Sequence, residues 1–294
     1  EICEHFNEHF INISNKLLSN LPPVNTNPLS YMGPPISHSI GFHPITRSEL
    51  LTLSGKLKNK KSYSDDGLNM FLVKNIISNI IVPLLHIFNL SLSSGIFPDC
   101  FKTSKVIPIF EKGDNANINN YRPISLLSPL SKILEKAVYM RLFSFFEIHK
   151  IICNNQYGFR PSHSTEQALL DYLHHILSKL NNKKLSVGLF LDLSKAFDVI
   201  DHNILLDKLH CYGIRGETLK WIQSYLSQRN QYVTIDNYQS SKALTSIGVP
   251  QGSILGPLLF LIYINDIHNI SPETKCRRHK SFIYSRQHFM FRLY

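Results

Sequence analysis

Three short stretches carry residue types that can do chemistry. The first is Val187-Gly-Leu-Phe-Leu-Asp192, an apolar run that ends in a carboxylate. Such a run reads as a buried central strand. A charge at its end is costly unless something compensates it. A hard cation such as Mg²⁺, which prefers carboxylate and phosphate oxygens, is one solution, with the backbone carbonyl of Leu193 as a further ligand. The other is that Asp192 caps the turn that follows; the segment alone does not choose. The second stretch, Gly248-Val-Pro-Gln-Gly-Ser-Ile-Leu-Gly-Pro257, holds three glycines and two prolines. It reads as a rigid turn leading into a helix, with small residues that let a backbone or a base approach closely. A purely structural loop before a core helix fits the same composition. The third is Asn119-Asn-Tyr-Arg-Pro-Ile-Ser-Leu-Leu127. There the guanidinium fork of Arg122, in a predicted turn, suits a triphosphate, although a single Arg in a turn is more often a solvated surface residue.

Periodicity predicts the elements that must position these stretches. Residues 1–19 read as a helix. Residues 20–44 hold six of the fifteen prolines and read as a linker, with compact structure beginning near Ile45. Thr46-Arg-Ser-Glu49 is a capping box opening a helix. A turn at Ser64-Asp-Asp-Gly67 precedes a helix from Phe71 to Ile81, and a second helix follows Pro83 and ends at Gly95. Lys105–Phe110 is a predicted strand, and Ser131–Glu147 carries a helical stripe. Ser164 caps a helix with Leu169, Leu170, Leu173, Ile176, Leu177 and Leu180 on one side. Leu185–Leu191 is a strand, Asn203–Tyr212 and Glu217–Ser227 are helices, and Gln231–Asp236 pairs with Lys242–Gly248 as a hairpin. Pro257–Ile267 is an apolar helix. This order of helices and strands predicts an α+β fold.

Composition narrows the function classes. Of 294 residues 43% are hydrophobic, enough for a sizeable core, which excludes wholesale disorder. No apolar run reaches the length of a membrane span, and the polar, acidic first residues do not resemble a cleavable signal. Five scattered cysteines without a CxxC pair predict reduced thiols in an intracellular protein. The fourteen histidines lack the spacing or cysteine partners of a zinc site. The net charge of +10 overstates the case for an anionic partner. Six Lys/Arg and no acid fall within residues 275–294, which leaves +4 on the rest of the chain.

Taken in order, these stretches and several others resemble one family, the reverse transcriptases of non-LTR (LINE-type, Jockey- or CR1-like) retrotransposons. The resemblance covers about residues 42–270. It is carried by Lys58-Asn-Lys-Lys-Ser-Tyr-Ser-Asp-Asp-Gly67, Phe88-Asn-Leu-Ser-Leu-Ser-Ser-Gly-Ile-Phe-Pro98, Lys105-Val-Ile-Pro-Ile-Phe-Glu-Lys-Gly-Asp114, Tyr121-Arg-Pro-Ile-Ser-Leu-Leu127, Gln156-Tyr-Gly-Phe-Arg160, Phe190-Leu-Asp-Leu-Ser-Lys-Ala-Phe-Asp198 and Gly248–Pro257. It implies a right-hand polymerase fold with fingers, a partial palm and no thumb. Residues 1–44 would be a connecting remnant upstream of the polymerase, 45–185 the N-terminal extension and fingers, and 186–270 the partial palm. It also implies RNA-directed DNA polymerase (nucleotidyltransferase) activity on an RNA template, a DNA primer and dNTP, without a membrane. Two Mg²⁺ ions about 3.5–4 Å apart would serve the intact site. The expected locations are the nucleus and a cytoplasmic ribonucleoprotein.

Residue by residue, the resemblance makes Asp192 the first metal carboxylate, joined by the Leu193 carbonyl. Phe197 would exclude a 2′-hydroxyl by steric clash, Gln251 and Gly252 would line the nucleotide and template contact, and Arg122 would clamp the triphosphate. Asp198 and Asp201 read as charges at a helix N-terminus.

The family pattern breaks after Asp266. An aromatic-Ala-Asp-Asp hairpin should follow, and no adjacent Asp pair occurs after Asp66. The tail, 271–294, reads as an out-of-frame translation. Codons for Cys276-Arg-Arg-His279 can give Ala-Asp-Asp one base later, with the slip between Lys275 and Cys276; a splice-generated tail is the other origin. With one clear metal carboxylate, the polypeptide is expected to be inactive as a polymerase. Two other readings compete. One is a non-catalytic nucleic-acid-binding remnant using Lys56, Lys58, Lys60, Lys61, Lys102, Lys105, Lys112 and Arg160. The other is a functionless translated relic whose apolar helix at 257–267 lacks partners.

Overall fold

The computed structural model describes residues 1–19, 27–185, 187–191, 193, 195–269, 283–284 and 289–293. Asp192 therefore lies outside the described residues, as do the predicted box position at 276–279 and part of the linker.

Two β-sheets and a helical core make up the described fold, as the mixed pattern predicts. The helices are α1 (Ile2–Ser19), α2 (Arg47–Lys56), α3 (Met70–Ser94), α4 (Pro129–Ile148), α5 (Thr165–Asn181), α6 (His202–Cys211), α7 (Gly216–Leu226) and α8 (Gly256–Ile264). The strands are β1 (Thr103–Phe110), β2 (Tyr121–Leu126), β3 (Val187–Leu191), β4 (Arg229–Ile235), β5 (Tyr238–Gln239), β6 (Ala243–Thr245), β7 (Ile283–Tyr284) and β8 (Phe289–Leu293). The larger sheet runs β2-β1-β4-β5, with β6 also on β4; β1 and β4 are parallel and the other pairs antiparallel. The expected hairpin partners meet as β4 and β6, with β5 inserted between them in sequence. The smaller sheet sets β3 antiparallel to β8, with β7 on the far side.

One apolar core is shared by α2, α3, α4, α6, α7 and α8. At its centre Trp221 and Tyr225 stack with centroids 5.8 Å apart, and Phe97 meets both edge-on. Such aromatic pairs add to simple burial. α8 is apolar all round and sealed: Leu258, Leu259, Phe260, Leu261 and Ile262 are each at most 2% exposed. This overturns the expectation that it lacks partners, because it belongs to the shared core and lies against α6.

Other expectations are also revised. Pro83 does not divide two helices; α3 runs through it without a break and ends where Gly95 adopts φ 68°. Both halves bury the same face, through Val73, Ile77 and Ile81 before the proline and Leu84, Phe88 and Leu92 after it. That shared packing holds the segments together although proline removes one helical hydrogen bond. By length and composition α3 is apolar enough to cross a membrane, but its inward stripe is part of the core. Residues upstream of Ile45 are also engaged. Ile36 and Ile40 donate backbone hydrogen bonds to Cys211 and Gly213, and Phe42 packs on Trp221. α1 lies on the larger sheet, where Cys3 and Phe10 join Val106 and Val233 in a second small core. Of the expected capping box at 46–49, Thr46 accepts from the Glu49 N–H, while the Glu49 carboxylate turns to Arg141.

Candidate nucleotide-binding cleft

The glycine-rich loop before α8 is fixed from three sides. Its carbonyl at Gln251 accepts from the Ser125 N–H of β2 at 2.8 Å. Its amides at Gly248 and Val249 donate to the carbonyls of Ile200 and Phe197 at 2.9 and 2.8 Å. Two glycines make this approach possible. A Cβ at Gly252 (φ 115°) would lie 2.8 Å from the Ser125 carbonyl oxygen, and one at Gly248 (φ 81°) would lie 2.8 Å from that of Phe197. Both positions need the left-handed region and a missing side chain.

Below the loop, Glu135 of α4 is fully buried. Its carboxyl accepts from Ser131 Oγ at 2.8 Å, from the Ile254 and Leu255 N–H groups at 2.8 and 3.3 Å, and from the Tyr225 hydroxyl at 3.4 Å. It therefore satisfies amides at the entry to α8 that the helix cannot pair internally. Glu135 was not singled out from the sequence, since one polar residue inside an apolar stripe carries no local signal of its partners.

Phe197 is half-buried, its ring 5.0 Å from Phe260 and 5.8 Å from Phe159. Asp198 is not a helix N-terminal charge. Its two carboxyl oxygens each lie 2.8 Å from Gln251 Nε2. Burial pushes its pKa up to about 6, against the opposing effects of the Gln251 hydrogen bond and the Lys195 charge. Asp201, by contrast, is the N-cap of α6 and accepts from the Ile204 N–H at 3.0 Å.

Asp198, Gln251, Pro123 and Ser125 line a common cavity of about 70 Å³. α1 covers it with Phe10, Ile11, Ser14 and Asn15, and Ser14 Oγ donates to the Asp198 carbonyl. On the other side of Gly252 a cleft of about 190 Å³ is lined by Lys58, Lys60 and Lys132. Burial lowers the pKa of Lys132; Glu135 raises it and Lys60 lowers it further.

Arg122 lies on β2 rather than in a turn and forms a two-pronged pair with Glu111 through its Nε and Nη2. It shares a strand with Ser125 but is not among the residues lining the Asp198 cavity. Leu193 is exposed, and the strand-end carboxylate Asp192 lies outside the described residues. Two of the cations read as phosphate contacts have structural partners instead. Lys102 is buried and pairs with Asp99 at 2.8 Å, and Arg160 pairs with Glu147 at 3.0 Å.

The described residues do not by themselves fit a divalent cation. None of them forms a cluster of three or more His, Cys, Asp or Glu side chains. The one acid in the cleft, Asp198, has both oxygens engaged by an amide.

Comparison with known proteins agrees with this architecture. The family model described as reverse transcriptase (RNA-dependent DNA polymerase) matches residues 110–285, from the end of β1 past β7. The RNA-directed DNA polymerase from mobile element jockey of Drosophila melanogaster is 32% identical over 270 residues, covering 89% of this chain and 29% of that protein. Its counterpart in Drosophila funebris is 33% identical over 241 residues, 82% of this chain and 26% of the relative. The probable RNA-directed DNA polymerase from transposon BS of Drosophila melanogaster is 32% identical over 240 residues, 79% and 26% of the two. The chain thus spans under a third of each relative's length. A family model matching more than half of the chain, with relatives above 30% identity across most of it, shows that the chain belongs to the reverse transcriptase (RNA-dependent DNA polymerase) family, as a reverse transcriptase domain of the non-LTR retrotransposon kind.

Proposed function

We propose that this chain is the fingers and part of the palm of an RNA-directed DNA polymerase, and that it grips nucleotide and template without extending a primer. The observation that carries the reading is the three-way attachment of residues 248–255 to β2, to the Phe197–Ile200 turn and, through the Ile254 and Leu255 amides, to Glu135. This attachment gathers motifs far apart in sequence around one cleft. Arg122, released from Glu111, would hold the triphosphate, and exchanging one anion for another suits a guanidinium fork. Phe197, backed by Phe260, would be the wall against a ribose 2′-hydroxyl. Lys58, Lys60 and Lys132 would meet template phosphates beside Gly252.

A divalent cation, Mg²⁺ in this reading, supplies the charge stabilisation for phosphoryl transfer in the family. Asp192 and the Leu193 carbonyl offer one side of its site. The described residues add no second carboxylate, and the sequence has no adjacent Asp pair after Asp66. We therefore expect salt-sensitive binding of an RNA/DNA template–primer without templated synthesis. A primer-extension assay with Mg²⁺ tests this; dNTP-dependent elongation by the unaltered chain would refute it. The triple substitution C276A/R277D/R278D, which writes an Ala-Asp-Asp box, is expected to raise Mg²⁺ affinity.

A further inference from the structure

We infer that Asp198 is a positioning residue that fixes which end of the Gln251 amide faces a bound nucleotide. The inference rests on reading residues 248–252 as a nucleotide contact. Both oxygens of Asp198 lie 2.8 Å from Gln251 Nε2. An ionised carboxylate only accepts hydrogen bonds, so it holds the NH₂ end of the amide and turns the carbonyl end away. Among the described residues no hydrogen bond reaches Gln251 Oε1, and that oxygen is not a buried, unpaired atom. The free end of Gln251 is therefore an acceptor.

The carboxylate is itself held in place through its backbone. The Asp198 N–H donates to the Lys195 carbonyl at 2.8 Å, and Ser14 Oγ donates to the Asp198 carbonyl. Gly248 presses so close that a Cβ there would lie 2.9 Å from Asp198 Cα. A fixed acceptor selects a ligand group with a hydrogen to donate, a hydroxyl or an amino N–H. It disfavours one that can only accept, because a mismatched pair leaves a polar group unsatisfied. An untethered glutamine would present either end and could not discriminate.

Several charged groups surround the pair. Lys195 comes from the same turn and acts directly on Asp198. From α6, His202 lines the cavity with its Nε2 engaged by the Gly248 carbonyl at 2.7 Å. From α1, His9 feels both Lys195 and Lys16. Arg229 of β4 also lines the cavity.

The test has two arms. In the first, the chain is labelled with ¹⁵N-glutamine and the side-chain NH₂ signal of Gln251 is assigned by its loss in Gln251→Glu. That signal should titrate with a midpoint near pH 6 and cease to titrate in Asp198→Asn, a variant of nearly the same shape. An amide signal insensitive to both pH and Asp198→Asn overturns the positioning role, whatever the site binds. In the second arm, dGTP binding to the chain with an RNA/DNA template–primer and Mg²⁺ is measured for wild type, Asp198→Asn and Asp198→Leu. Asp198→Leu should weaken binding about tenfold, the equivalent of about 1.4 kcal/mol, with Asp198→Asn in between. A responsive amide with unchanged dGTP affinity in both variants would show that the pair exists but that the loop is not a nucleotide contact.

Discussion

Helices α8 and α5 have similar claims to a place in the core but different fates. α8 is short, apolar on every side, and closed into the shared core beside α6. α5 is nearly twice as long and has a textured leucine face, yet Leu169, Leu170, Leu173, Leu177 and Leu180 are 45–66% exposed, and Ala168 is its one buried residue. An apolar stripe thus states what a helix can bury, not what it does bury. α8 is enclosed because Glu135 captures the amides at its entry and the loop before it is bound to β2 and the Phe197 turn. α5 is tied to the rest of the described structure at points such as the hydrogen bond from the Tyr157 hydroxyl to Asp171, while its leucines stay exposed.

The largest expected effect lies in α8. Phe260→Ala should cost about 3–5 kcal/mol in denaturant unfolding, as a large ring leaves a sealed site. Glu135→Ala should cost about 3 kcal/mol, because it strands the Ile254 and Leu255 amides and the Tyr225 hydroxyl. A loss below about 1 kcal/mol would mean that α8 does not depend on this anchor. Gly252→Ala should cost roughly 1–3 kcal/mol and should also shift backbone NMR signals at Ser125, its clashing neighbour.

A smaller effect is expected from pH. When folded, the Asp198 carboxyl titrates near 6; when unfolded, it returns to the ordinary carboxylate range. Between these values the folded chain holds a proton that the unfolded chain has lost, so this group adds stability as pH falls through 6. Asp198→Asn should therefore gain on wild type by about 1 kcal/mol between pH 5 and pH 7.5, a figure reduced for partial solvent screening. Thermal melts at the two pH values check the sign. The smallest effect belongs to α5. Leu173→Ala should change stability by about 0.5 kcal/mol or less, and a loss matching that of Phe260→Ala would erase the contrast between the helices.

Local chemistry made much of the fold legible. Ser164 closes a full capping box with Gln167, Asp201 caps α6, and Gly95 and Gly213 end helices with positive φ. Each of these depends on residues a few positions apart. What sequence could not reveal depends on distant partners. Pro83 signals a break, and only the packing of both flanking segments overrides it. Asp198 beside Asp201 resembles a second capping acid until Gln251, 53 residues away, takes its oxygens. The Ala-Phe-Asp and Pro-Gln-Gly motifs held both members of that pair, but nothing in either motif names the other. Arg122 was found as a residue, while its pairing with Glu111 needed the β1–β2 register.

The way residues 248–252 are docked also bears on mutability. Their contacts with positions 125, 197 and 200 run from main chain to main chain, so the geometry does not depend on which side chains stand there. Yet Ile200 is fully buried and Phe197 packs on Phe260, so a saturation scan should find small replacements tolerated at Ser125 but few at Phe197, Ile200, Gly248 or Gly252. The loop's shape is thus carried by its main chain on a fixed base, and chemistry at its surface can be retuned through exposed side chains without rebuilding that base.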